Sequence, residues 1–311
     1  MHWVWYVCGL PAGFALVLWL ALRILWRDRV TTMRIQWHMS RERYDKALPL
    51  VERQLRDLRR RKGDGHLETA VAKYTMGQIE FEHGRHDRGR ALVRDAAAAF
   101  HGHAGERNGD YAVYLMNLGC AQRAIGEKQA ALATMRACEQ LTRARLGGTS
   151  WQTAEALNNL GVMLDETGSP AEAIEAYEEV LRLRVSEFGE QSPQAAKVLV
   201  NIAEAQISLG NFAAARNRIG RAIEILGELP GHEAGHAYDT FARLCEAEED
   251  WDRAEAMRNQ SVTAFERALG TSHVEVAAQM EKLAAVLERL DRPTEGGLAR
   301  QRATRIREAL V

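Results

Sequence analysis

LMNLGCAQRAIGEKQAAL (115–132), ALNNLGVMLDETGSPAEAI (156–174) and LVNIAEAQISLGNFAAAR (199–216) are three versions of one pattern. Their shared glycines, Gly126, Gly168 and Gly210, together with Gly84, are spaced by 42 residues. One step back reaches Glu42, and forward steps with one three-residue deletion reach Glu249 and Asp291, so seven anchors emerge. Seven residues before the anchors stand Ile35, Gly77, Gly119, Gly161, Ala203, Ala242 and Ala284. Five after them stand Ala47, Gly89, Ala131, Ala173, Ala215, Ala254 and Gly296, all small. Small side chains at two points twelve residues apart let two helices cross closely, and Met76, Leu118, Leu160, Ile202, Phe241 and Leu283 fill the space beside them. Each repeat therefore reads as a helical hairpin, with the anchor at the end of its first helix where positive φ is wanted. Self-similarity at such a period is the mark of a solenoid, and the expected fold class is all-α.

Composition agrees. Only 6 prolines in 311 residues, with abundant Ala, Leu, Glu and Arg, favour helix throughout. Forty-one basic against 42 acidic residues exclude a strongly basic nucleic-acid binder. Cys8, Cys120, Cys138 and Cys245 form no CxxC pair and no zinc-type spacing, which fits a reducing compartment.

The pattern small–x11–small with a turn glycine between resembles the tetratricopeptide repeat. The 42-residue period, with LGTSHVEVA (269–277), FGEQSPQAA (188–196) and ALNNLG (156–161), is similar to the longer-helix variety of kinesin light chains. The resemblance covers about residues 29–310 and implies a right-handed solenoid of about seven hairpins. It is weakest in the end repeats, as expected where a solenoid is capped. It also implies a concave groove that takes a protein or peptide partner, lined by first helices. Nine residues before the anchors stand Thr75, Asn117, Asn159, Asn201 and Thr240, with Asn158 beside Asn159. In the family this position faces the groove, where an amide can donate to and accept from a peptide backbone. Bonds between neighbouring helices are the alternative role for this column. Lys197, one turn before Asn201, shares its face and could meet a carboxylate.

The N-terminus has a different character. Residues 1–22 carry no charge, residues 23–62 carry 13 basic against 5 acidic side chains, and the remainder carries 28 against 37. Trp3 to Leu22 is long enough to cross a bilayer, which takes about 20 apolar residues. Trp3, Trp5, Tyr6, Trp19 and Trp26 stand where interfacial aromatics would. Residues 1–27 are therefore expected to form a transmembrane anchor contacting lipid through residues 3–26, and residues 28–311 the solenoid. Arg23, Arg27, Arg29 and Arg34 place the body on the cytoplasmic side with the N-terminus out. With Arg59, Arg60, Arg61 and Lys62 they form a basic collar, a solvated helix end that could also attract anionic headgroups. This layout also resembles mitochondrial import receptors, but 35 Arg against 6 Lys points to a GC-rich, bacterial genome and so to an inner membrane.

One string invites an enzymatic reading. His232-Glu233-Ala234-Gly235-His236 is H-E-x-x-H, which on a helix would put two imidazoles on zinc and a general base between them, as in a membrane-bound metallopeptidase. Its place in the frame is the first turn of a first helix, just after Pro230-Gly231, and no third ligand follows at the metzincin spacing. His83 with His86 and His101 with His103 fall in turns. No phosphate-binding loop, dinucleotide fingerprint or hydrolase elbow occurs. The expectation is a membrane-anchored interaction scaffold with no cofactor, no catalytic residues and no small-molecule substrate.

Overall fold

The computed structural model describes residues 30–39, 43–102, 111–227, 229 and 231–309. The expected span, with Arg23, Arg27 and Arg29, lies outside them. Among the described residues no helix is long and apolar enough to cross a membrane.

All regular structure among the described residues is helical. Residues 30–39 form α1. There follow α2 (Tyr44–Lys62), α3 (Leu67–Glu82), α4 (His86–Gly102), α5 (Tyr111–Ala124), α6 (Lys128–Leu146) and α7 (Trp151–Glu166). The remainder are α8 (Pro170–Phe188), α9 (Pro193–Ser208), α10 (Phe212–Leu226), α11 (Glu233–Ala247), α12 (Trp251–Leu269), α13 (Val274–Arg289) and α14 (Pro293–Glu308). Each odd-numbered helix from α3 onward packs on the even one after it, and each even one on the next odd one. Successive first helices also touch (α3 with α5, α5 with α7, α7 with α9, α9 with α11), while successive second helices do not meet to that extent. The stack thus curves with its first helices on the inner side.

Every described anchor has positive φ: Gly84, Gly126, Gly168 and Gly210 at 72° to 88°, and Glu249 and Asp291 at 60° and 56°. The reason is the way the first helix ends. Ser169 N donates to Leu164 O (2.8 Å), and Asn211, Asp250 and Arg292 donate to the residue five earlier at 2.9 Å, closing a Schellman turn that satisfies otherwise orphaned carbonyls. Serines fix the other end, Ser150 Oγ accepting from Thr153 N and Ser192 Oγ from Ala195 N.

The two small columns are the helix crossings. Ala47, Ala131, Ala173, Ala215 and Ala254 are all fully buried. A Cβ on Gly161 would stand 2.6 Å from the Tyr177 ring, and one on Gly119 would stand 2.7 Å from the Met135 methyl. Nine residues after each anchor, Val93, Met135, Tyr177 and Ile219 are at most 2% exposed and form the wedge between helices. In the sixth hairpin that position is Arg258, also 2% exposed. Its guanidinium pairs with Asp239 and with Glu246 (2.7 Å), and Lys282 Nζ adds two contacts to Asp239 at 2.9 Å.

The second helix of the fifth hairpin is short. α10 has 15 residues where α2, α6, α8 and α12 have 19, a loss of about one turn. The missing turn lies on α10 between α8 and the start of α11.

Candidate protein-binding groove

Where α10 stops short, five helices leave a cavity of about 580 Å³. Glu155 and Asn158 of α7 line it, with Val180 and Arg184 of α8 and Gln194, Lys197, Val198, Asn201 and Glu204 of α9. Leu226, the last residue of α10, and His232, Glu233 and His236 at the head of α11 complete the wall. First helices contribute most of it, which puts it on the inner side of the stack.

Polar groups in this wall answer one another. Asn201 Nδ2 donates to Asn158 Oδ1 at 3.2 Å, linking neighbouring repeats. Arg184 donates to Glu155 at 3.0 Å. Lys197 Nζ lies 2.5 Å from Glu233 Oε1. Glu204 accepts from Thr240 Oγ1 at 2.9 Å and from Arg243 at 3.1 Å. Burial pushes the Glu204 carboxyl above its ordinary range, against the opposing pull of Arg243 and Thr240. Burial alone would raise Glu233 as well, but the Lys197 ammonium and a backbone N–H hold it below the usual value. The His236 ring opens to the groove yet has protein on most sides, and this desolvation, with His232 beside it, lowers its pKa to about 4. The imidazole is neutral at pH 7.

The structure gathers Asn158, Asn201 and Lys197 in this wall. Asn117 and Asn159 are half-buried on α5 and α7 and do not line it. The closest amide pairing runs between Asn158 and Asn201 rather than along the column of Asn117, Asn159 and Asn201. Lys197, expected to meet a carboxylate, is paired with Glu233 of the same chain.

The zinc reading is corrected by the same geometry. His232 is the N-cap of α11 and its carbonyl accepts from His236 N at 3.1 Å, so the two imidazoles do stand one turn apart, but their surroundings are not those of a metal site. The His232 and His236 rings meet edge to face at 5.2 Å, and His236 stacks edge-on against Phe265 at 5.0 Å. Glu233, the would-be base, is held by Lys197. No three His, Cys, Asp or Glu side chains among the described residues come together as a metal-holding group. The string is the start of a first helix.

Of the collar, Arg59 lies 2.6 Å from Asp64 and Lys62 pairs with Glu68, all near the C-terminal end of α2. Arg34, Arg60 and Arg61 are exposed.

Two features escaped the sequence reading. A second inner-side cavity of about 790 Å³ is lined by Tyr74, Gln78, Phe81, Cys120, Arg123 and Lys128, with Arg123 paired to Glu166 at 2.5 Å. The two ends of the stack also meet, the Tyr44 ring lying 6.4 Å from His273 and Glu82 4.0 Å from His273 Nε2. Burial raises the Glu82 carboxyl and lowers the His273 imidazole, so both favour their neutral forms there. No periodicity marks a contact between residues so far apart in the chain.

Comparison with known proteins agrees with this architecture. Residues 152–228 match the tetratricopeptide repeat family model. No curated protein matches the chain in sequence. Among solved structures, a Rap protein complexed with Competence and Sporulation Factor is similar at 11% identity and TM-score 0.57, over 89% of this chain and 74% of that one. The apo form of the quorum sensor NprR from B. thuringiensis is similar at 12% identity and TM-score 0.56, over 98% and 96%. BtubC (BKLC) from P. vanneervenii is similar at 20% identity and TM-score 0.53, over 74% and 91%. At these identities the likeness is one of fold. Residues 152–228 thus match tetratricopeptide repeats, and the stacked hairpins carry the same helical-repeat architecture through the described residues.

Proposed function

We propose that this protein is a membrane-anchored scaffold that holds a protein or peptide partner along the inner side of its solenoid. The observation that carries this reading is the clustering of Asn158, Asn201 and the neutral His236 in a 580 Å³ cavity lined largely by first helices. The Rap structure of similar fold is a complex with Competence and Sporulation Factor, which supports the reading that this fold here too holds a partner. The anchor rests on the uncharged stretch from Trp3 to Leu22 and the arginines after it, which also favour an outside N-terminus and a cytoplasmic body at a bacterial inner membrane.

The test is a display selection of peptides on the purified full chain, followed by titration of the selected peptides. A combined change of Asn158 and Asn201 to Ala should cost about 1–3 kcal/mol, about five-fold or more in affinity, at about 0.5–1.5 kcal/mol per amide bond. The melting temperature should move little, since a groove amide has water as its alternative partner. Unchanged affinity with an intact fold would place binding elsewhere. For the anchor, protease added to intact spheroplasts should leave the body uncut, and digestion without lysis would reverse the topology.

A further inference from the structure

The first hairpin packs in one direction. Ile35 of α1 and Ala47, Val51, Leu55 and Leu58 of α2 share one apolar cluster with Ala72, Met76 and Ile79 of α3. No described hairpin precedes it, so the faces of α1 and α2 turned away from α3 form the end of the stack.

Those faces are not the mixed surface of an ordinary solvated cap. On α1, Val30, Met33 and Trp37 recur every three to four residues opposite the buried Ile35 and are 44%, 67% and 44% exposed. On α2, Lys46, Pro49, Arg53, Arg56 and Arg60 keep the same period opposite the buried row, all exposed and none acidic. Arg56 lies 4.0 Å from Glu52, while Lys46, Arg53 and Arg60 have no ion pair among the described residues. Arg59 and Lys62 of the collar are instead engaged by Asp64 and Glu68. Gln54 Nε2 donates to Thr32 Oγ1 at 2.9 Å and the Arg43 guanidinium lies 5.4 Å from the Trp37 ring, so the two rows run side by side.

An apolar row beside a cationic one suits an anionic bilayer, where aromatic and aliphatic side chains enter the headgroup boundary and cations meet lipid phosphates. A nucleic acid or an acidic tail would match the cations but not Val30 and Met33. Position favours lipid as well. Val30 follows the uncharged run from Trp3 to Leu22 by eight residues, which reach at most about 29 Å.

We propose that the end face made by α1 and α2 docks on an anionic lipid surface. Val30, Met33 and Trp37 enter the headgroup boundary, and Lys46, Arg53, Arg56 and Arg60 meet lipid phosphates. The inference rests on the anchor reading above and adds a second, charge-dependent contact that sets how the stack stands on the membrane. The inner cavity, lined from α7 to α11, is left free of lipid.

The test places the full chain in nanodiscs of phosphatidylcholine, alone or with phosphatidylglycerol added. Both carry the same neutral photoactivatable lipid, and labelled peptides are mapped by mass spectrometry. Labelling of residues 30–37 and 46–60 should be about fivefold higher in the anionic discs, with residues 3–22 labelled equally in both. The combined change Lys46→Gln, Arg53→Gln, Arg56→Gln and Arg60→Gln should abolish that difference and leave the label on residues 3–22. Because all four side chains are exposed, the melting temperature should not move. Labelling of α1 and α2 that is absent, or equal in the two compositions, beside a labelled 3–22 segment would overturn the docking face and leave the anchor standing. Labelling of α1 and α2 without residues 3–22 would uphold the face and overturn the span, and no label on either would overturn both. Two chains joined through Trp37 and separated by Trp37→Gln would assign the face to a second copy and overturn the proposal.

Discussion

The fourth and sixth hairpins share one backbone frame and hold it by opposite chemistry. In α7 and α8 the turn is made by Gly168, and Tyr177, 2% exposed, wedges against Gly161. In α11 and α12 the turn is made by Glu249 at φ 60°, and the wedge is Arg258, neutralised by Asp239 and Glu246. An apolar wedge gains stability by leaving water, whereas a buried guanidinium is tolerable only while its carboxylates stay in place. The frame is thus set by small residues at the crossings and by the turn, and the wedge between them is free to vary so long as its polar atoms are satisfied.

The largest expected effect breaks the sixth hairpin. Asp239→Ala leaves Arg258 and Lys282 without their shared partner, and about 3–5 kcal/mol should be lost in denaturant unfolding. Replacing Asp239 and Arg258 together by Leu and Met should recover most of that loss. A double variant as unstable as Asp239→Ala would mean that the ion pair does more than fill space.

Overpacking the fourth hairpin comes next. Ala173 is fully buried at the crossing, so Ala173→Trp should cost about 1–3 kcal/mol by forcing α7 and α8 apart. An unchanged melting temperature would show that the crossing lies elsewhere. A smaller effect of opposite sign is expected at the sixth turn. Glu249→Gly relieves a left-handed residue and should stabilise by about 0.5–1 kcal/mol, while Gly168→Ala should destabilise by a similar amount.

The remaining effect is one of pH. The folded pKa of His236, about 4, lies below its ordinary 6.5, so the unfolded chain takes up this proton first. The stability tied to a neutral His236 is complete above pH 6.5 and is lost as pH falls toward 4. Glu204, raised by burial, acts in the opposite sense as acid is added, so the two must be separated by substitution. His236→Gln should lose less stability than the native chain between pH 6.5 and 4.5, as read by thermal melts across that range, and parallel curves would remove His236 as the cause.

Periodic features of the sequence carried most of the fold. The 42-residue spacing located every described anchor, because a helix that must stop and reverse in a fixed number of residues needs positive φ at a fixed point. A second glycine column at Gly63, Gly105, Gly147, Gly189 and Gly231 keeps the same spacing and went unread, although it was as visible as the first. Arg258 was harder, since its burial depends on Asp239 and Lys282 brought together by folding. The deletion before Glu249 was legible as a number, but the shortness of α10 was not. Whether a missing turn closes up or leaves a cavity depends on what packs from α8 and α11. Of the candidate site, Asn158, Asn201 and Lys197 were found by their register, while the engagement of Lys197 by Glu233 lay in the third dimension.

The claim that the irregular fifth hairpin, and not the regular ones, makes the binding site is tested most directly by restoring its length. Replacing Gly227 and Pro230 by Ala would let α10 run on to Gly231, as α8 runs on to Gly189, and give it the 19 residues of α8 and α12. The measurement is the affinity of this lengthened-helix variant for peptides selected on the native chain, alongside its melting temperature. The account expects affinity to fall by about tenfold or more with a melting temperature equal to or above that of the native chain. Undiminished affinity in a chain with a lengthened α10 would contradict it.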